Sequence, residues 1–388
     1  VATIDLTDRT LVERARHAAD EAAAHADEVD RDARFPIEAI TALREEGLLG
    51  LLVPAALGGE GATVGQVAEV VEVLGRSCAT TAMVYAMHQI QVNCLVRHGA
   101  TPTIQRYLRE VAADGLLLAS ATTEIGLGGD TRSSVCAVER DGGRFRLEKQ
   151  APVISYGEHA DGILATARRT TDSPPNDQVL VVCRRDHVEL ERTSDWDTLG
   201  FRGTCSNGFR LTASDDEAWV LPVPYAEISS QTMLPTSHVV WASVWLGLAT
   251  AAAETAKRYV QAEARKKPGT TLPAAVHLAE LVGVHQQFVD LARGAARRYD
   301  ALAHDPDALD GMAFAIAMNS LKVSASELVV DVVHRALTIC GIAGYANQSP
   351  WSMSRLLRDA HGAALMVNND RLTANNAQML LIHRGSLA

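Results

Sequence analysis

Leu116-Leu-Leu-Ala-Ser-Ala-Thr-Thr-Glu-Ile-Gly-Leu-Gly-Gly-Asp130 is where the chain changes character. Before it the pattern is helical. Residues 10–32 are rich in Ala, Glu and Arg, Pro36 stands where a helix can begin, and IEAITALREEGLL runs up to the glycine-broken loop at 54–62. Further helices are expected at about 64–76, 79–98 and 102–112. After the quoted stretch come short runs, RFRLEK, GILATAR, QVLVVC and HVEL, several with period-two alternation. Turn signals such as Asp141-Gly142-Gly143 and Ser173-Pro-Pro-Asn176 separate them. To about residue 222 this reads as a small antiparallel β-domain. From 232 the helical period returns, with long helices expected at 232–264, 271–301, 308–338 and 362–385. Their breaks fall at Pro268-Gly269, Asp305-Pro306-Asp307 and Gly341-Ile-Ala-Gly344, which suggests an antiparallel bundle. Helices, then strands, then helices is an α+β arrangement, with segments 1–115, 116–225 and 226–388.

Composition narrows the function. The chain has 388 residues, 47% hydrophobic and 21% charged, which places it among globular proteins rather than disordered or coiled-coil ones. Its net charge of −11 argues against a nucleic-acid partner and against an anionic membrane surface. The longest apolar stretch, 239–253, is short of a membrane span and reads as a buried core helix. The first residues lack the basic and apolar regions of a signal peptide, and six scattered cysteines form no CxxC pair. A cytoplasmic protein with buried thiols is the expectation. Without HExxH, a P-loop or GxSxG, zinc hydrolase, NTPase and α/β-hydrolase chemistry are disfavoured.

Three glycines in four positions, at 126–129, allow backbone N–H groups to turn inward and hold a phosphate or another electron-rich edge; alone, they are equally an ordinary loop. Read with five other segments, however, this stretch resembles the acyl-CoA dehydrogenase family of flavoproteins. Thr123-Glu-Ile-Gly-Leu-Gly-Gly-Asp130 is similar to that family's TEPGAGSD-like loop, and Val153-Ile-Ser-Tyr-Gly157 to its W-I-T/S-N-G segment. Leu199-Gly-Phe-Arg-Gly-Thr204, Arg265-Lys-Lys-Pro-Gly269, Cys340-Gly-Ile-Ala-Gly-Tyr345 and Arg358-Asp-Ala360 follow in family order. The resemblance implies FAD between the β-domain and the bundle, in a homotetramer or homodimer. Ser120, Thr122 and Thr123 would face the flavin ring, Gly128 and Gly129 the pyrophosphate, and Ser155 would offer its hydroxyl or backbone N–H to the flavin. Val153 replaces an aromatic residue beside the ring. Arg265 would reach a neighbouring subunit's diphosphate, with Thr338 and Gly341 on the adenine side and Asn369 in place of a flavin-contacting threonine.

The resemblance also implies an acyl thioester substrate, on CoA or on an acyl carrier protein, with a glutamate as the base. The glutamate's usual slot falls on Val367 and its alternative slot on Ser237, and neither is a carboxylate. A displaced base would have to be sought among His238, His88, His361 and Asp370, with His238 favoured, since imidazole titrates near neutrality. Two other readings stand beside the thioester dehydrogenase. One is a reduced-flavin-dependent monooxygenase, supported by Arg202-Gly-Thr-Cys-Ser-Asn207, which resembles the R-G-T-G-S-N form of hydroxylating relatives. The other is a degenerate flavin-binding protein. Met83, Met87 and His88, and Trp241 with Trp245, are otherwise ordinary buried helix faces.

Overall fold

The computed structural model describes residues 10–128, 130–270 and 272–386. Five helices come first: α1 (Leu11–Arg31), α2 (Ile37–Glu45), α3 (Val64–Ser77), α4 (Ala79–His98) and α5 (Pro102–Asp114). Local chemistry sets their starts. The side chains of Thr10 and Thr63 cap α1 and α3, each with a reciprocal Glu13 or Gln66, and Thr101 caps α5 ahead of Pro102. Helix α4 buries residues on every side, because it lies between the other helices and the strands.

Seven strands come next: β1 (Leu118–Ala121), β2 (Glu139–Asp141), β3 (Arg144–Ala151), β4 (Gly162–Arg168), β5 (Gln178–Arg184), β6 (Val188–Ser194) and β7 (Gly208–Asp216). They form two sheets, ordered β1-β4-β5 and β2-β3-β7-β6. The expectation of a purely antiparallel domain is corrected here. β1 pairs parallel with β4, Leu118 opposite Gly162, because forty residues of loop and hairpin intervene and allow the chain to cross over. Two strands, β2 and β7, were not expected from the sequence. β7 is the central strand of its sheet and pairs with both β3 and β6.

The C-terminal part comprises α6 (Tyr225–Ile228), α7 (Leu234–Lys266), α8 (Pro273–Leu302), α9 (Pro306–Leu309), α10 (Met312–Cys340), α11 (Ile342–Tyr345), α12 (Ser354–Gly362) and α13 (Asn369–Ile382). The helix expected over 362–385 begins only at Asn369, as α13, and a separate helix, α12, precedes it across a turn at 363–368. α7 and α10 are long and apolar enough to pass for membrane spans by length and composition, but α7 is mostly buried against α3, α4, α8 and α10. Its crossing with α3 is made at two glycines. A Cβ on Gly75 would stand 2.8 Å from the Val244 carbonyl, and one on Gly247 2.5 Å from the Glu72 carbonyl, so only glycine permits this approach. One continuous apolar core joins the three parts of the chain.

Two buried polar fixtures hold the strands and loops beside α4 in place. His88 on α4 is fully buried; its Nδ1 accepts the Leu118 N–H (3.0 Å) and its Nε2–H donates to the Leu49 carbonyl (2.8 Å). These partners fix the neutral tautomer and leave neither nitrogen for chemistry. The suggested catalytic role of His88 is thus corrected: it pins β1 to the helices. Lys149 of β3 is also sealed, its ammonium on Glu124 (3.2 Å) and on the Thr166 carbonyl (2.8 Å). Glu124 accepts the backbone N–H of Cys136 (2.7 Å) and of Val135 (3.0 Å), which anchors the 122–130 loop.

Lys149→Met should strand the buried Glu124 carboxylate and cost about 3 kcal/mol in urea unfolding, whereas an exposed pair is worth less than about 1 kcal/mol. His88, His98 and His238 are each pushed down to about 4 by burial. The unfolded chain therefore binds more protons than the folded one from pH ~6.5 down to ~4, and stability should fall across that window. Asp359, pushed up to about 6 by burial, acts in the opposite sense, but it is one group against three. Urea midpoints measured against pH should show this acid loss, and His98→Gln, whose partner is the Thr232 hydroxyl, should remove about a third of the histidine contribution.

Candidate functional site

The β-domain, α4, α7 and the α12–α13 segment enclose a cavity of about 1050 Å³. Irregular backbone forms one side of it and helix faces the other. The first stretch is the strand β1 and the 122–130 loop, which bring Ser120, Thr122, Thr123 and Gly128 to the cavity. Gly126 and Gly128 have φ of +91° and +56°, conformations that glycine adopts without strain. Gly129 lies outside the described residues. The second is the 153–157 segment, which contributes Val153 and Ser155. The third is the 196–207 loop, which supplies Trp196, Phe201, Thr204 and Ser206.

Hydroxyls along this edge form a chain whose proton direction emerges by elimination. Thr204 spends its only proton on the Phe201 carbonyl (2.9 Å), so Ser206 donates to Thr204 (2.8 Å) and Ser155 to Ser206 (2.8 Å). Of the two groups expected of Ser155, the hydroxyl proton is therefore already directed at Ser206. The 196–207 loop is fixed to α12. Buried Asp359 accepts the Phe201 N–H at 2.6 Å, and a Cβ on Gly200 would stand 2.7 Å from the Asp359 nitrogen. This contact gives the Leu199–Thr204 and Arg358–Ala360 segments a common purpose that spacing alone did not reveal.

The opposite wall is helical. Met83, Met87 and Gln91 come from α4, and Ser237, His238 and Trp241 from α7. His238 is buried, and its Nδ1–H donates to the Met318 carbonyl at 3.0 Å. Its Nε2 is then an acceptor, with no hydrogen-bond partner among the described residues. Burial first, and then the charge of Lys322, hold the ring neutral, with its pKa pushed down to about 4. Met366, Val367, Asn368 and Arg371 close the cavity from the C-terminal side, and an Arg371 guanidinium N–H donates to the Gly128 carbonyl across it.

Both glutamate slots lie on the wall and hold neutral side chains. Ser237 returns its hydroxyl to the Met233 carbonyl (2.5 Å), and Val367 is apolar. The carboxylates that do reach the cavity are occupied: Asp130 caps its own loop through the Arg132 N–H and the Ser133 hydroxyl, and Asp310 accepts from Ser230 and Gln231. Exposed His361 also borders the cavity; Asp370 does not.

The remaining expected cofactor contacts are dispersed. Arg265 is exposed at the end of α7; Thr338 and Gly341 are exposed at the end of α10, the Thr338 hydroxyl bonded to the His334 carbonyl. None of the three borders this cavity. Asn369 is corrected as well. Its side chain turns inward to Lys322 (2.7 Å) and Ser326 (3.0 Å), and Asn368 is the neighbour that borders the cavity. Lys322 itself went unnoticed, although a lone lysine in the apolar run AFAIAMNSLKVSASELVV is a readable signal. Backbone strain also gathers here. Five described non-glycine residues have positive φ, and four of them, Tyr156, Phe201, Cys205 and Val367, sit in the loops around the cavity. Such strain persists where the surroundings impose it, commonly at functional sites.

A flavin fits these residues: a row of hydroxyls along one edge, an open glycine turn, an apolar remainder, and a volume at the top of the usual ligand-pocket range of roughly 300–1,000 Å³. The comparisons with known proteins agree. Residues 7–139 match the acyl-CoA dehydrogenase N-terminal domain and residues 229–366 its C-terminal domain. Cyclohex-1-ene-1-carbonyl-CoA dehydrogenase of Geobacter metallireducens is 27% identical, over 91% of this chain and 92% of the relative. Amino sugar nitrososynthase DnmZ of Streptomyces peucetius is 26% identical, over 87% and 84%. FMN-bound TdsC from Paenibacillus sp. A11-2 superimposes with a TM-score of 0.84 at 20% identity, covering 97% of this chain and 98% of TdsC; at that identity the likeness speaks for the fold. With its N- and C-terminal domains both matched and its fold shared, the chain belongs to the acyl-CoA dehydrogenase family.

Proposed function

We propose that the chain is a flavin-dependent monooxygenase, inserting one oxygen atom of dioxygen into a small substrate. The second oxygen atom leaves as water, and reduced flavin supplies the two electrons. The observation that carries this reading is the neutral wall at both base slots, Ser237 and Val367. Removing an α-proton from a thioester needs a positioned base with a pKa near the working pH. His238 offers a free Nε2, but at about pKa 4 it is a poor base at neutrality. Oxygen insertion needs no such base and gains from apolar walls that keep water away.

A bound flavin would supply the redox chemistry, and the chain's residues would orient it. Ser120, Thr122, Thr123 and Ser155 would hold its polar edge, Gly128 lies in the turn that would meet phosphate, and Val153 and Trp196 border the same cavity. Met83, Met87 and Met366 keep the substrate side dry. Two names support the reading: amino sugar nitrososynthase for DnmZ, and dibenzothiophene monooxygenase for TdsC.

Whether the flavin is FMN or FAD turns on Arg265, Thr338 and Gly341, which would serve the adenosine end only from a neighbouring copy. Exposed Ile342, Tyr345, Leu365 and Leu381 are apolar surface suited to such self-association, as a homodimer or homotetramer. The second reading is oxidation of an acyl thioester on CoA or a carrier protein, supported by the Geobacter relative's name and by the free Nε2 of His238.

Flavin-loaded protein mixed anaerobically with acyl-CoA and acyl-carrier thioesters should keep its visible absorbance. Given reduced flavin and isotopically labelled dioxygen, it should place one labelled oxygen atom in an aromatic or amine substrate, read by mass spectrometry. Bleaching by any thioester would overturn the monooxygenase reading, and loss of that bleaching in His238→Gln would then assign the base.

A further inference from the structure

Two of the chain's five lysines, Lys149 and Lys322, are fully buried; the Lys149 ammonium ends on strand β4 and Glu124, that of Lys322 on irregular backbone beside the cavity. Lys149 has a carboxylate partner. Lys322 has none within ion-pair distance among the described residues. Its Nζ donates to the Val367 carbonyl (2.8 Å) and the Asn369 Oδ1 (2.7 Å), and stands 5.8 Å from the centre of the Trp245 ring. Asn369 is held in turn, its amide donating to the Ser326 hydroxyl (3.0 Å), whose proton goes to the Val323 carbonyl (2.7 Å). A buried cation without a countercharge is costly, and a neutral donor or an apolar side chain would fill the same space more cheaply.

What the ammonium holds explains its presence. Val367 has φ +48°, a conformation in which a β-branched residue is a clear outlier. Its side chain borders the cavity at the slot of the family's glutamate, while its carbonyl points back to α10. The turn at 363–368 has no regular ladder to enforce that geometry. The geometry points to Lys322 as a positioning residue, whose ammonium holds the strained Val367–Asn369 backbone in place as one wall of the cavity. Relaxation of Val367 would move Met366, Val367 and Asn368, all of which border the cavity, with it. The functional meaning of that wall rests on the cavity being the flavin and substrate site.

The test is a double-mutant cycle, since glycine at 367 removes the strain that Lys322 is inferred to oppose. Lys322→Met should raise amide hydrogen exchange across residues 364–370 by about tenfold or more, with little change in the other helices, and weaken FMN binding by a similar factor. Val367→Gly combined with Lys322→Met should recover most of both losses. If Lys322→Met does not fold, the double variant should, and its folding would carry the same conclusion. Unchanged exchange at 364–370, loss spread evenly over the molecule, or strictly additive effects would overturn the proposal. A wild-type protein that binds neither FMN nor FAD would sink the flavin-site reading, and the exchange cycle would still decide the role of Lys322.

Discussion

The structure depends on holding irregular backbone in place around a large, partly open cavity. Sheets and helices satisfy their own N–H and C=O groups, but the segments at 122–130, 153–157, 199–207 and 363–368 do so only in part, and buried polar groups left unpaired are expensive. The chain meets that cost with buried polar side chains aimed at main-chain atoms. Glu124 ties the first loop to the Val135 and Cys136 amides, Asp359 takes the Phe201 amide, His88 ties Leu118 to Leu49, and Lys322 takes the Val367 carbonyl. Each tether reaches from a regular element, or from a residue anchored on one, to a cavity wall.

These tethers also account for the strain. Tyr156, Phe201 and Val367 occupy left-handed backbone that the local sequence does not favour. Each is fixed by a partner from elsewhere: the Thr204 carbonyl accepts the Tyr156 N–H (2.7 Å), and Asp359 and Lys322 hold the other two. The hydroxyl chain from Ser155 through Ser206 to Thr204 depends on the Phe201 carbonyl being where Asp359 leaves it. The polar edge of the cavity is thus set up by a carboxylate on α12 that does not border it, and the two ends of the molecule meet there, since Arg358 also pairs with Asp30 of α1.

The chemistry derives from the groups that the tethers leave on the surface of the cavity. The β-domain side presents hydroxyls and a glycine turn; the helical side presents methionines, tryptophan and a neutral histidine. Carboxylates near the cavity are engaged with backbone or side-chain donors, so none is poised to remove a proton. A flavin suits the polar edge, and the rest would suit the oxygen transfer proposed above.

Helix periodicity, capping threonines and the Pro and Gly breaks made the helical segments and most strands legible from the sequence, because those signals act within a few residues of one another. The motif residues Ser120, Thr122, Thr123, Gly128, Val153 and Ser155 were legible for the same reason: each sits in a short segment with its own pattern. The tertiary structure decided what depends on distant partners. It made β1 parallel to β4, put a turn at 363–368 where the last helix was expected to start, occupied both nitrogens of His88, turned Asn369 toward α10, and brought Lys322 behind Val367. A side chain's type is written in the sequence, but whether it faces a cavity or a carbonyl is set by the packing of segments far apart in the chain, and burial then fixes its charge.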